Sequence, residues 1–172
     1  MQIRRLTSLN HSQMRELGEL LMDAVEGGAS VGFLSLTAMN SIAEYWQSIA
    51  SAMDSNLALF VAEQEGRIVG SVQIALCPKE NGRHRAEIQK LFVLQNNRGK
   101  GLASRLMQAA EEFALSRDRT LLVLDTEQGS TAESMYEHWG WNRAGAIPGY
   151  AASPDGVLHP TVFFYKRLDP ER

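Results

Sequence analysis

Between residues 57 and 93 three apolar runs, 57–63, 67–76 and 85–93, keep the period of strands and are joined by links too short to cross a sheet. The links are Gln64-Glu65-Gly66 and the turn-rich Pro78-Lys79-Glu80-Asn81-Gly82, so the three strands should pair as an antiparallel meander. After Val93 the period changes. A polar stretch, 94–98, leads into Gly99-Lys100-Gly101, after which Leu102, Leu106, Ala109, Ala110 and Phe113 mark one face of a helix ending near Arg117. Leu121-Leu122-Val123-Leu124 then reads as a strand covered on both faces and ending in Asp125. Strand, helix and strand in that order form a crossover, which sets this strand parallel to 85–93.

The flanks add further elements. Residues 3–6 suit a short strand, and Met14, Leu17, Leu20, Leu21 and Val25 predict a helix from His11 that Gly27-Gly28 stops. A glycine-punctuated apolar segment, 29–36, precedes a second helix from about Ser41, where Ser41-Ile42-Ala43-Glu44 has capping-box spacing, to about Met53. Ser130-Thr131-Ala132-Glu133 opens a short helix that Gly140 ends. Residues 141–147 and 162–166 complete the strands. The stretch between them holds Pro148, Gly149, Pro154, Gly156 and Pro160 and predicts a long loop, which Tyr150 and His159 mark as functional. The fold class expected is α/β (α+β): a central mixed, mostly antiparallel twisted sheet of about seven strands with flanking helices. One domain over residues 1–172 is expected, since that length buries a core without staples.

Composition narrows the function. With 17 Lys and Arg against 20 Asp and Glu, the formal charge is −3, and no basic stripe is present, so nucleic acid is not an expected partner. The single Cys77 and the scattered histidines at 11, 84, 138 and 159 argue against a disulfide framework and a metal site. No run approaches the roughly 18 apolar residues of a membrane-spanning helix, and the start lacks a signal peptide's apolar stretch. A cytoplasmic protein with no membrane partner is expected.

The glycine pair is the sharpest chemical signal. Glycines between a strand and a helix start let backbone approach a ligand, while free N–H groups and the helix dipole attract phosphate, so Arg98-Gly99-Lys100-Gly101-Leu102-Ala103 reads as a pyrophosphate cradle. Ordinary glycine punctuation of a tight connection is the plain alternative. A Walker loop is excluded by its spacing, and a dinucleotide fingerprint is disfavoured by Ser104 and by the meander that precedes it. Glu87 stands in the strand feeding this loop, on the face of Gln89, Leu91 and Val93 if alternation holds; it is a candidate base or an exposed partner of Arg83 or Arg85. Asp125, at the carboxyl end of an apolar strand, stands where open α/β sheets place ligands, or caps the turn that follows. Tyr136, within Met135-Tyr136-Glu137-His138-Trp139-Gly140-Trp141, is a core aromatic that also carries a transferable proton. His138 and Cys77 read as packing residues.

Glu87-Ile88-Gln89-Lys90-Leu91-Phe92-Val93, the segment from Arg98 through Gly101 to Leu106, and Ser134 to Trp141 together resemble the GNAT superfamily of N-acetyltransferases in order and spacing. A closer likeness, carried by Gly27 to Phe33, Leu124-Asp125-Thr126-Glu127, Pro148-Gly149-Tyr150 and Leu158 to Thr161, is to members that inactivate a β-lactam toxin by acetylating its amine. The glycine loop departs from the family pattern at Gln95 and Asn96. The resemblance implies a GNAT fold and acetyl-CoA as cosubstrate, with no metal. It implies that the backbone of Leu91, Phe92 and Val93 holds the pantetheine arm and that Arg98, Gly99, Lys100, Gly101, Leu102, Ala103 and Ser104 hold the pyrophosphate. Glu87 and Asp125 become the candidate bases for an amine nucleophile and Tyr136 the acid for the leaving thiolate. A backbone N–H near Val93 becomes the oxyanion donor. Phe33 and Tyr150, in the variable segments, become acceptor contacts for a small-molecule amine. The alternative from another class is a catalytically silent acyl-CoA sensor; oligomeric state stays open, a homodimer included.

Overall fold

The computed structural model describes residues 1–29, 31–33, 38–54 and 56–168. Its elements in chain order are β1 (Gln2–Leu6), α1 (His11–Glu26), α2 (Ala38–Ala52), β2 (Leu57–Gln64), β3 (Arg67–Leu76), β4 (Arg85–Val93), α3 (Leu102–Leu115), β5 (Leu121–Glu127), α4 (Thr131–His138), β6 (Asn142–Ala152) and β7 (Leu158–Arg167). The strands form one seven-stranded sheet in the order β1-β2-β3-β4-β5-β7-β6. Every pairing is antiparallel except β4 with β5, as the meander and crossover require. Among the described residues no helix is long and apolar enough to cross a membrane.

Alternation along β2 sorts side chains into two cores. Ala58, Phe60 and Ala62 face α3 with Leu102, Leu106, Met107 and Ala110, whereas Leu59 and Val61 face α1 and α2 with Leu17, Leu20, Leu21 and Trp46. The first of these layers continues across β5 and β7 through Leu122, Leu124, Val162 and Phe164, under Tyr136 of α4. The second stops at β4. Helix α1 packs on β3 and β4, and among the described residues no matching layer covers the same face of β5, β7 and β6. Leu121 and Val123 therefore remain partly exposed, so β5 is covered on one face rather than on the two expected.

Three other expectations change. Helix α2 begins at Ala38, so Ser41-Ile42-Ala43-Glu44 lies inside it and is not its cap. Strand β5 runs on to Glu127, placing Asp125 within the strand. The long loop expected after Ile147 is mostly strand: Ile147 pairs with Thr161 and Ala151 with His159, leaving Pro148, Gly149 and Tyr150 as a bulge opposite Pro160. Gly149 takes the positive φ of 59° the bulge needs, and Pro148 lies on an edge strand, where a missing N–H is tolerated. Turn residues concentrated there because the strand is bulged, and periodicity alone reads that as a break.

Candidate active site

The parallel pairing of β4 with β5 is short. Arg85, Ala86 and Glu87 oppose Leu121, Leu122 and Val123, and the ladder ends there, although both strands continue. From Ile88 onward β4 thus presents backbone toward β5 with no ladder between them. A bulge in β4 accompanies the parting: Gln73 faces Gln89 and Ser71 faces Phe92, so Lys90 and Leu91 together stand opposite Val72. Lys90 adopts a positive φ of 52°, unusual for a side chain with a Cβ. The extra residue reverses the alternation. Ala86 and Ile88 lie in the α3-side core, but so do the flanks of Leu91 and Val93, while Phe92 turns to the α1 side. Glu87 and Gln89 consequently do not share a face with Leu91 and Val93, contrary to strict alternation.

The glycine loop follows a single 3-10 turn, Gln95–Asn97, that is tied down from two sides. The Gln95 backbone N–H donates to the Asp23 carboxylate at 3.0 Å and its side-chain amide to the Asp23 carbonyl at 3.1 Å; the Asn97 amide donates to Gln64 at 3.1 Å. The departure from the family pattern at Gln95 thus serves as a tether to α1. Gly99 and Gly101 both have φ of 73°, and Gly101 is the N-cap of α3 with no side chain capping the helix. The Ser104 hydroxyl donates to the Gly101 carbonyl at 2.9 Å, which leaves the first α3 amides free of a side-chain acceptor. Arg98 donates through Nε to the Val93 carbonyl at 3.1 Å, and Lys100 through Nζ to the Asn96 carbonyl at 3.3 Å, so both side chains brace the loop. The side chains of Phe92 and Leu102 are core, exposed by only 6% and 2%. Only their backbone is available to a ligand. Uncapped amides, two left-handed glycines and a parted sheet suit an extended, phosphate-bearing molecule such as coenzyme A.

Beside the parting, Glu87 and Asp125 lie on the same face as Val123, the face that α1 and α2 leave open. Partial burial lifts the Asp125 carboxyl above the usual carboxylate range; the negative Glu87 adds to the lift and the positive Lys90 opposes it. Tyr136 approaches the same place from the other layer. Packed edge-on against Trp139 and Trp141 and tilted on Phe164, it is exposed by 7%, and burial followed by the charge of Asp125 pushes its phenol above the ordinary range. Its hydroxyl makes no hydrogen bond among the described residues, so its proton is uncommitted.

The two expected acceptor contacts are associated with different parts of the sheet. Tyr150, thrown outward by the β6 bulge, is 53% exposed and meets Phe163 edge-on at 5.3 Å, and Phe163 is the β7 partner of Asp125. Phe33 meets Tyr45 edge-on at 5.5 Å. Beside Phe33 the sequence reading missed Lys90 and the pair Tyr45 and Gln73. Tyr45 donates its hydroxyl to the buried Gln73 amide oxygen at 3.0 Å, and burial pushes its phenol up to about 12. Two consecutive polar residues, Gln89 and Lys90, in an otherwise alternating strand were the available signal for the bulge. Among the described residues no three His, Cys, Asp or Glu side chains converge on a metal position.

A sheet parted beside an open helix terminus, with titratable groups converging on the gap, defines an acyl-group transferase. The family model for the acetyltransferase (GNAT) family matches residues 33–141, and the chain belongs to that family of N-acetyltransferases. An uncharacterized N-acetyltransferase from the hisH-hisA intergenic region of Azospirillum brasilense is 29% identical over 128 residues, 73% of this chain and 75% of the relative. The structure of a candidate phosphinothricin N-acetyltransferase superposes with a TM-score of 0.80 at 17% identity, covering 98% of this chain and 99% of the other. That of an aminoglycoside 6'-N-acetyltransferase complexed with coenzyme A superposes with a TM-score of 0.76 at 19% identity, covering 100% and 99%. The expected GNAT fold is the fold these structures share.

Proposed function

We propose that this protein transfers the acetyl group of acetyl-CoA to the amino group of a small molecule by direct attack, with general acid and base catalysis and no acyl-enzyme. The observation that carries this reading is the parting of β4 from β5 after Glu87 and Val123, with Asp125 beside it and close enough to Tyr136 for its charge to raise the phenol. The backbone of Leu91, Phe92 and Val93 takes the pantetheine arm as an added strand, and the amides from Arg98 to Ser104 take the pyrophosphate. A backbone N–H near Val93 faces the developing oxyanion.

Asp125 is the better base of the two carboxylates. Burial raises its pKa toward that of an effective base, and the negative charge of Glu87 raises it further. The amine loses its proton to Asp125, directly or through water, and attacks the thioester carbonyl; the C–S bond then breaks and the thiolate takes the Tyr136 phenolic proton. A phenol pushed upward stays protonated at rest. These groups cover every proton transfer, so the reading calls on no metal.

The acceptor is an amino-acid-like amine, with Phe33 and Tyr150 as its contacts, and a β-lactam amino acid of the tabtoxin type is the acceptor favoured by the sequence likeness to tabtoxin-resistance acetyltransferases. The candidate phosphinothricin acetyltransferase neighbour supports an amino-acid-like acceptor; the aminoglycoside enzyme supports small amines more broadly. The enzyme acts in the cytoplasm as one domain, alone or as a homodimer, with neither nucleic acid nor membrane as a partner. Release of CoA thiol from acetyl-CoA tests the reading against a panel of the tabtoxin-derived β-lactam amino acid, other amino acids, dipeptides, polyamines and aminoglycosides. Turnover with an amino-acid-like acceptor is the expected result. Acetyl-CoA binding without turnover on any amine would replace it with the sensor reading.

A further inference from the structure

Lys90 is a charged residue of the site that the mechanism does not use. Its ammonium is partly buried, donates to the Val31 carbonyl at 2.6 Å, and lies 5.9 Å from the Phe33 ring centre and 5.7 Å from that of Tyr45. Tyr45 is itself pinned by its bond to buried Gln73, so the rings that frame the ammonium are fixed from below. Two partly buried cations elsewhere have carboxylates, Lys166 with Glu111 at 2.7 Å and Arg4 with Glu63 at 2.6 Å, whereas Arg5 and Arg119 have none among the described residues and Arg5 lies 4.7 Å from the Phe113 ring centre. Lys90 forms no such ion pair among the described residues, although a desolvated ammonium normally requires one. One carbonyl and two ring faces leave part of its donor capacity unused. The bulge that carries Lys90 also gives it a left-handed backbone, with φ of 52°.

We propose that Lys90 is the anion-binding group of the acceptor pocket: it takes the carboxylate of an amino-acid-like acceptor while Asp125 and Glu87 receive the amine. The inference rests on the acetyltransferase reading for which site it serves. Opposite charges fit the acceptor end to end. Burial lowers the Lys90 pKa while the nearby charges of Asp125 and Glu87 raise it, and a bound carboxylate would raise it further. The acceptor class is therefore an amine bearing an anionic group, as opposed to a polyamine or an aminoglycoside, which Lys90 would repel.

The test is calorimetric binding to the full chain saturated with CoA, using the tabtoxin-derived β-lactam amino acid and L-glutamine, each beside its α-carboxamide. The wild-type protein should prefer the carboxylate form by about 10–100-fold, as for a charge-assisted hydrogen bond. Lys90→Met should bring the two forms to within about 2-fold, and Lys90→Arg should keep most of the preference. Absence of preference in the wild type, its survival in Lys90→Met, equal loss for both forms, or failure of both to bind would each overturn the proposal. CoA-thiol release followed in parallel bears only on the acetyltransferase reading, so the two fail separately.

Discussion

The two halves of the sheet differ in what covers them. Strands β1 to β4 lie between α1 and α2 on one face and α3 on the other, whereas among the described residues β5 and β7 have core residues only on the α4 side and β6 has none. The covered half meets the proposed donor with backbone: the glycine loop, the free amides of α3 and the unpaired run of β4. The open half meets the proposed acceptor with side chains, Asp125 from β5 and Tyr150 from β6, and Phe33 and Lys90 are proposed to meet it from the edge of the covered half. Backbone recognition suits an invariant cosubstrate, and side chains on a bare face suit a partner that varies between enzymes of one fold.

The largest effect that would sharpen this contrast is on chemistry at the seam. Tyr136→Phe keeps the packing against Trp141 and Phe164 and removes only an unpartnered hydroxyl, so turnover should fall by about 10²–10⁴ while thermal stability holds. Steady-state kinetics beside a melting curve checks this, and a melting point that fell with the activity would make Tyr136 a packing residue. Leu106→Ala, in the covered half, should cost about 2–5 kcal/mol in chemical denaturation, since the side chain is fully buried. Gly101→Val should raise the acetyl-CoA dissociation constant about tenfold or more, because a β-branched residue resists the φ of 73° that opens the cradle. Tyr150→Ala, in the open half, should leave stability within about 0.5 kcal/mol and raise the acceptor KM by about 3–10-fold. A large stability loss there would erase the distinction between the halves.

The smallest effect concerns charge. A carboxyl whose folded pKa is raised stabilises the fold while protonated, so the contribution of Asp125 is present below the unfolded value of about 3.9 and is lost as pH rises through the higher folded value. Asp125→Asn should accordingly raise Tm by about 1–2 °C at neutral pH and leave it unchanged in strong acid. Differential scanning fluorimetry across that range reads the difference.

Much of the covered half was legible because its signals are local. Period-two runs joined by Gln64-Glu65-Gly66 and by the turn at 78–82 fixed the meander, and the glycine pair marked the start of α3. The motif residues Glu87, Asp125 and Tyr136 could be picked from sequence, but their convergence depends on where β4 and β5 part, which no single segment encodes. The misread parts were the bulges. At Lys90 an inserted residue reversed the face of everything after it, and at 148–150 the same device looked like a loop. The cover over the sheet was equally hidden: four consecutive apolar residues at 121–124 suggested two covered faces, and the limited reach of α1 and α2 left one of them bare.

The most direct test of the division between a donor half and an acceptor half is to measure acetyl-CoA affinity and turnover together in Asp125→Asn. If the covered half binds the cosubstrate through backbone and Asp125 only activates the amine, the dissociation constant stays at the wild-type value while kcat falls by about 10²–10⁴. Wild-type turnover, or a loss of acetyl-CoA binding as large as the loss of rate, would contradict it.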